Sequence, residues 1–285
     1  MKTDLECIPC FVHQAAQAAR HGGVGAARQE ALLRDVLRKL AGADLSVSPP
    51  CTAHEIYRLV KEATGGGDPY REVKRRFNRF VLGRLDALRR RVRESKDPFD
   101  AAVRVSIAGN LIDFGLNAAV REEDLDGAIE TALGTPLAVD HVARLKEAVA
   151  SATRILYLGD NAGEIVLDRL LVEQLPRERV TFVVRGAPIL NDALREDAEA
   201  AGLTGLVEVI DNGSDAPGTI LERCSPEFQR RFARADLVIS KGQGNCETLD
   251  LITEKRVFFL LKVKCAVLAR SMGVPLGSMV VKENR

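Results

Sequence analysis

Ile155-Leu156-Tyr157-Leu158-Gly159-Asp160-Asn161-Ala162-Gly163-Glu164-Ile165-Val166-Leu167 decides how this chain is read. The run 155–158 is short, apolar and closed by glycine, as a strand buried on both faces is. From Glu164 onward, with Leu170 and Leu171 beyond, the apolar spacing is that of an amphipathic helix. Asp160 and Asn161 therefore stand where a strand hands over to a helix. In open α/β sheets that edge is where ligands bind. A carboxylate beside a side-chain carbonyl also suits Mg²⁺-like ions. Asp and Asn equally cap helices at this point, so the stretch alone leaves both readings open.

Outward from it the same alternation recurs. Val180–Val184, Leu206–Ile210, Leu237–Ile239, Val257–Leu261 and Gly277–Val281 read as further strands, with helical patterns between most of them. Such alternation predicts a mostly parallel sheet covered by helices on both faces. Residues 1–150 have another texture and read as all-helical. Leu32, Leu33, Val36, Leu37 and Leu40 recur at helical spacing, as do Phe77, Phe80, Val81, Leu85 and Leu88. Ser48-Pro49-Pro50 and Asp68-Pro69 look like helix starts, Gly65-Gly66-Gly67 a break, and Ala102–Phe114 an apolar helix ending near Gly115. The expected architecture is α/β, a helical domain over 1–150 followed by a Rossmann-like domain over 151–285.

Each of the first five strand runs ends at or near a polar group: Asp160, Arg185, Asp211-Asn212-Gly213, Ser240-Lys241-Gly242, and Lys262 with Lys264. In a parallel sheet these ends share one edge. Acids mixed with lysines and glycines fit a site for a cation and an anionic ligand. Asn191-Asp192, which reads as a helix start after the second run, would complete a three-oxygen site with Asp160 and Asn161, leaving positions open for water and substrate as Mg²⁺ requires. Asp192 alone would read as a cap. The loop Asn212–Thr219 is either a plain turn or an anion nest with the Ser214 and Thr219 hydroxyls. Ser240–Glu247 matches neither the P-loop nor the dinucleotide fingerprint.

Composition excludes more than it assigns. The 285 residues are 46% hydrophobic and 28% charged, ordinary for a globular protein, and the net charge of +1 gives no argument for nucleic acid or an anionic membrane. No apolar stretch nears the roughly 18 residues of a spanning helix. The N-terminus lacks the pattern of a signal peptide, and six cysteines make no disulfide scaffold in a chain this long. A reducing cytoplasm is the expectation. Cys7, Cys10, Cys51 and His54 could form a structural zinc site, although packed thiols fit the same spacing. Cys224, Cys246 and Cys265 show no ligand spacing. Nothing here fixes the oligomeric state.

Taken together, these motifs resemble the metal-dependent damage-control phosphatases, catalogued as domain of unknown function eighty-nine. The resemblance rests on Gly159–Glu164, Pro188–Asp192, Asn212–Thr219 and Lys241-Gly242-Gln243-Gly244-Asn245, and reaches the helical half through Asp68-Pro69-Tyr70 with Lys74 and through Gly109–Gly115. Cys7-Ile8-Pro9-Cys10 looks like the bacterial and archaeal subfamily. The resemblance implies a divalent ion (Mg²⁺, Mn²⁺, Co²⁺ or Ni²⁺) and hydrolysis of small phosphate esters such as sugar phosphates. By position it implies metal ligands at Asp160, Asn161 and Asp192. It implies catalytic roles for Asp160, Asp192 and Lys264. Substrate contacts fall on Glu164, Ser214, Asp215, Lys241, Asn245 and Lys264, with Asn110 and Asp113 reaching in from the helical half. Asn110 and Asp113, at i and i+3, would equally form a buried pair fixing a helix. Eukaryotic members carry Arg-Thr-x-Lys after the fifth strand. Leu261-Lys262-Val263-Lys264 shares only the last lysine, so their substrate preference is not inherited. Two rivals remain: an S-adenosylmethionine-dependent carboxyl methyltransferase, for which Gly159 and Gly163 loosely imitate the glycine turn, and a non-catalytic metal or sugar-phosphate binding module.

Overall fold

The computed structural model describes residues 1–109 and 122–284. Asn110 and Asp113 lie outside them.

Three helices come first: α1 (Cys7–His21), α2 (Ala26–Ala41) and α3 (Pro49–Ala63). Phe11, Ala15, Ala18, Leu32, Val36, Ile56 and Val60 close a small core between them. The expected α2 stripe is narrower than its sequence, because Leu37 remains 54% exposed. Pro49 and Pro50 open α3, where a missing N–H costs nothing. α4 (Arg71–Leu82) and α5 (Leu85–Glu94) divide at Gly83, followed by α6 (Pro98–Ala108), α7 (Glu122–Gly134) and α8 (Val142–Ser151). Asp97 caps α6, accepting from the backbone N–H groups of Phe99 and Asp100 at 3.0 and 3.2 Å.

Among the described residues the sheet has seven strands: β1 (Val139–Asp140), β2 (Ile155–Leu158), β3 (Val180–Val184), β4 (Glu208–Asp211), β5 (Leu237–Lys241), β6 (Val257–Lys262) and β7 (Met279–Glu283). Their order is β1-β7-β6-β5-β2-β3-β4. The five strands β6-β5-β2-β3-β4 are mutually parallel, as the alternation predicts. The last run forms an antiparallel addition to β6, with β1 parallel beside it. β1 arises within the part read as all-helical.

Helices α9 (Glu164–Val172), α10 (Arg195–Ala200), α11 (Pro226–Arg234), α12 (Gly242–Leu249) and α13 (Ala266–Met272) follow the parallel strands. Packing does not respect the change of texture near residue 150. One hydrophobic core runs from Phe77 and Val81 on α4, through Leu85 and Leu88 on α5, to Tyr157, Phe182, Ile239 and Phe258 of the sheet. Helices α4 to α8 are therefore cover for one sheet face, whereas α1–α3 keep a core of their own. That core reaches the sheet edge through Ile189. Phe228 and Phe232 of α11, with Leu268 of α13, cover the opposite face.

This order positions the site. From β2 the chain steps outward to β3 and β4, then returns to the other side of β2 for β5 and β6. The C-terminal ends of β2 and β5 form the switch point, where open α/β sheets bind ligands. Among the described residues, no helix is long and apolar enough to cross a membrane.

Candidate active site

Asp160 and Asn161 leave β2 at the switch point, and Asp192 lies in the loop after β3. Asn161 and Asp192 meet as an isolated antiparallel bridge. Its two backbone bonds are Ala162 N–H to Asn191 O at 2.9 Å and Ala193 N–H to Asp160 O at 2.8 Å. Leu190 turns the loop with a positive φ of 45°. Two loops from neighbouring strands are thereby pinned together, and Asp160, Asn161 and Asp192 share one rim.

Hydrogen bonds then aim their side chains. Asn161 Nδ2 donates to Asp160 Oδ2 at 2.9 Å and to Glu164 Oε2 at 3.0 Å, which consumes both amide protons and leaves Oδ1 for another partner. Arg185 Nε donates to Asp192 Oδ2 at 2.7 Å, and the same guanidinium lies 3.9 Å from Asp160 Oδ1. Arg185 Nη2 donates to Asn245 Oδ1 at 3.2 Å, which also accepts from the Thr219 hydroxyl at 2.7 Å. Asn245 Nδ2 in turn donates to the carbonyls of Gly159 and Lys241 at 3.3 and 2.8 Å. Asn245 is thus a fully buried tie between the ends of β2, β3 and β5. The sequence reading missed Arg185 as a site residue, although a cation closing a parallel strand beside two acids was its signal.

Lys241 needs correction. It has no exposed surface, and Nζ donates to Glu164 Oε1 and Asp168 Oδ1, both at 2.6 Å, and to Ser106 O at 2.8 Å. All three ammonium protons are used, so none is left for phosphate. Glu164 is equally buried, between Lys241 and Asn161. Both residues hold up the rim from below. Asp168 and Glu164, four residues apart on a largely apolar helix, announced a buried cation. Ser214 and Asp215 also differ from expectation. The Ser214 hydroxyl accepts from Ala216 N–H at 3.2 Å inside its turn, and Asp215 binds His54 at 2.8 Å and Lys61 at 3.6 Å. Neither lines the cleft.

The cleft itself has a volume of about 370 Å³. One wall is Asp160, Asn161, Asp192, Gln243, Glu247 and Lys264. The other is contributed by Cys7, Cys10, Phe11, Gln14 and Gln17 of α1 and by the start of α3. Lys264 is exposed, and its charge acts on Asp160.

The electrostatics is unbalanced. Asp160, Glu164, Asp168 and Asp192 are buried together and served by the buried cations Lys241 and Arg185. Lys74, the next cation inward, is already committed to Asp68 at 2.7 Å and Asp197 at 3.6 Å. Burial, then the charges of Glu164 and Asp192, push the Asp160 carboxyl well above the usual carboxylate range, against the pull of Arg185 and Lys264. Burial raises Asp192 by more than Arg185 lowers it. Excess buried negative charge with hard oxygens left free is what a divalent cation complements. The donor chemistry fits such an ion through the Asn161 carboxamide oxygen and one oxygen of each aspartate. It consists of two carboxylates and an amide, and no group of three or more His, Cys, Asp or Glu among the described residues is arranged to hold a metal.

The zinc expectation is not supported by the positions of its residues. His54 spends both ring nitrogens, Nε2 on Asp215 at 2.8 Å and Nδ1 on Arg223. Cys51 lies 3.4 Å from the Ser48 hydroxyl, and Cys10 is exposed beside Gln14.

Fold and cleft together define an α/β protein with an acid-lined cleft at the switch point of its sheet. Residues 3–280 match the family model of the damage-control phosphatase ARMT1-like domain. A Pyrococcus horikoshii protein named damage-control phosphatase PH1575 is 34% identical, over 100% of this chain and 99% of its own. A damage-control phosphatase of Archaeoglobus fulgidus is 39% identical over 82% of this chain and 83% of its own length. The uncharacterized protein MJ0202 of Methanocaldococcus jannaschii is 35% identical over 99% and 95%. The crystal structure of the DUF89 family protein from Pyrococcus horikoshii matches with a TM-score of 0.91 at 33% identity, each chain covered in full. This chain belongs to the damage-control phosphatase ARMT1-like family.

Proposed function

We propose that this chain is a phosphatase that hydrolyses small phosphate esters, sugar phosphates or damaged phosphorylated metabolites, with a divalent ion (Mg²⁺, Mn²⁺, Co²⁺ or Ni²⁺) held by Asp160, Asn161 and Asp192. The observation that carries this reading is the Asn161–Asp192 bridge, which gathers three hard-oxygen side chains over an excess of buried carboxylates. The name damage-control phosphatase, borne by the Pyrococcus horikoshii and Archaeoglobus fulgidus relatives, supports it as well. A divalent ion bound there would supply positive charge to a phosphoryl oxygen and acidify water beside it.

The protein's own residues do the rest. Arg185 holds one oxygen of Asp192 and so fixes the direction of the other. Asn161 is turned by Asp160 and Glu164 so that its carbonyl faces outward. Lys264, on the cleft wall, neutralises charge on the equatorial oxygens of the phosphoryl group. Asp160 either orients the attacking water or attacks phosphorus itself.

The test is phosphate release from a panel of sugar phosphates, run with each of the four ions and with chelator. Release is expected only with an ion, and Asp160→Ala is expected to abolish it while keeping the fold. Equal release in chelator would remove the ion from the scheme, and full activity of Asp160→Ala would remove the mechanism.

A further inference from the structure

Hydrolysis of an alkyl or sugar phosphate expels an alkoxide, a poor leaving group unless it is protonated as it departs. The acids on the cleft wall are Glu6, Asp160, Asp192 and Glu247. Asp160 and Asp192 belong to the cation rim. Glu6 is exposed and paired with Arg270 at 2.8 Å. Glu247, on α12, is buried and plays no part in the rim.

Its setting is built. Gln243 Oε1 accepts from the Lys264 backbone N–H at 3.3 Å, so its amide nitrogen must face the other way. That nitrogen donates to Glu247 Oε1 at 2.7 Å and lies 3.2 Å from Cys265 Sγ. Oε1 is thereby an acceptor, and Oε2 is left as the oxygen that can carry a proton. The positive group that acts on it, the Met1 ammonium, is taken by Asp250 at 2.5 Å and by the Glu247 backbone carbonyl at 3.2 Å. The thiols of Cys7 and Cys246 complete the surroundings. Burial pushes the Glu247 carboxyl up to about 7, although Gln243 and the ammonium pull it down. A group with that value exchanges its proton readily at neutral pH.

We infer that Glu247 is the proton donor to the leaving oxygen, an assignment that rests on the phosphatase reading above. A water oxygen bonds to phosphorus while the bond from phosphorus to the ester oxygen breaks. The electron pair of that bond stays on the ester oxygen, which takes the Glu247 proton and leaves as an alcohol. The proton lost by the attacking water goes to phosphate or solvent, and solvent recharges Glu247.

The experiment compares wild type and Glu247→Gln on glycerol phosphate, which needs a proton to leave, and on p-nitrophenyl phosphate, which does not. The variant is expected to lose about 10²-fold or more in kcat on glycerol phosphate and far less on p-nitrophenyl phosphate. Equal losses on both would overturn the assignment and leave the phosphatase reading intact. No release from either substrate by wild type would overturn that reading and this one with it. Should Glu247→Gln fail to fold, a series of substituted phenyl phosphates on wild type decides: a shallow dependence of kcat on leaving-group acidity supports the assignment, and a steep one overturns it.

Discussion

Asn161 and Asp192 pair through their backbones as a single antiparallel bridge, beside strands β2 and β3 that run parallel. The bridge sets the spacing of the cleft rim by main-chain hydrogen bonds, so the acidic side chains cannot relax apart to relieve their repulsion.

Asp160→Asn keeps an oxygen to accept from Asn161 but removes a charge that Glu164 and Asp192 repel. In chelator this variant is expected to melt several degrees above wild type. With Mn²⁺ at about 100 times its Kd, wild type gains about 2.7 kcal/mol and the variant little. Thermal melts with and without Mn²⁺ decide it, and a variant that melts lower in chelator would contradict the charge argument.

Two lysines separate support from contact. Lys241→Met leaves Glu164 and Asp168 buried without their cation and should cost about 3–5 kcal/mol in stability. Lys264→Ala, at an exposed position, should leave the melting temperature within a degree or two and depress phosphate release. Denaturant titration beside steady-state kinetics would expose the opposite pattern.

Gly242 has φ +78°, and a Cβ there would sit 1.9 Å from Asp160 Oδ2. The glycine lets the turn after β5 close against the rim. Gly242→Ala must therefore displace Asp160, with loss of cation binding as well as turnover. Calorimetry showing unaltered Mn²⁺ affinity in this variant would mean that the turn gives way instead.

The acids raised by burial also set the pH response. Glu247 and Asp168, each at about 7 in the folded chain, bind protons more tightly than in the unfolded chain. The folded state therefore loses stability as pH rises from about 4 through 7, the reverse of a salt-bridged surface acid. Melting temperature in chelator should climb as pH falls from 8 to about 5.5. Glu247→Gln should flatten that climb, since its share between pH 7 and 5.5 is roughly 2 kcal/mol. A wild-type melting temperature that falls over the same interval would reverse the sign.

Much of this was legible in the chain. The run 155–158, the hand-over at Asp160-Asn161 and Asn191-Asp192 carried the parallel sheet and the rim, because glycine turns and β-rich runs are local signals. Lys241 was misread because position at a strand end says nothing about what covers it, and here α6 supplies Ser106 O directly over the ammonium. β1 was missed because two residues carry no period. The boundary near residue 150 follows texture, whereas α4 to α8 pack on the sheet through contacts remote in sequence. Arg185 showed its charge but not its partners, which come from two loops and helix α12.

A cation between Asp160, Asn161 and Asp192 is what the proposed phosphatase activity depends on. Anomalous diffraction from crystals soaked in Mn²⁺ tests it most directly. One ion is expected about 2.1 Å from an oxygen of each of the three side chains, and absent from crystals of Asp192→Asn. An ion seated elsewhere, or retained unchanged in that variant, would contradict the account.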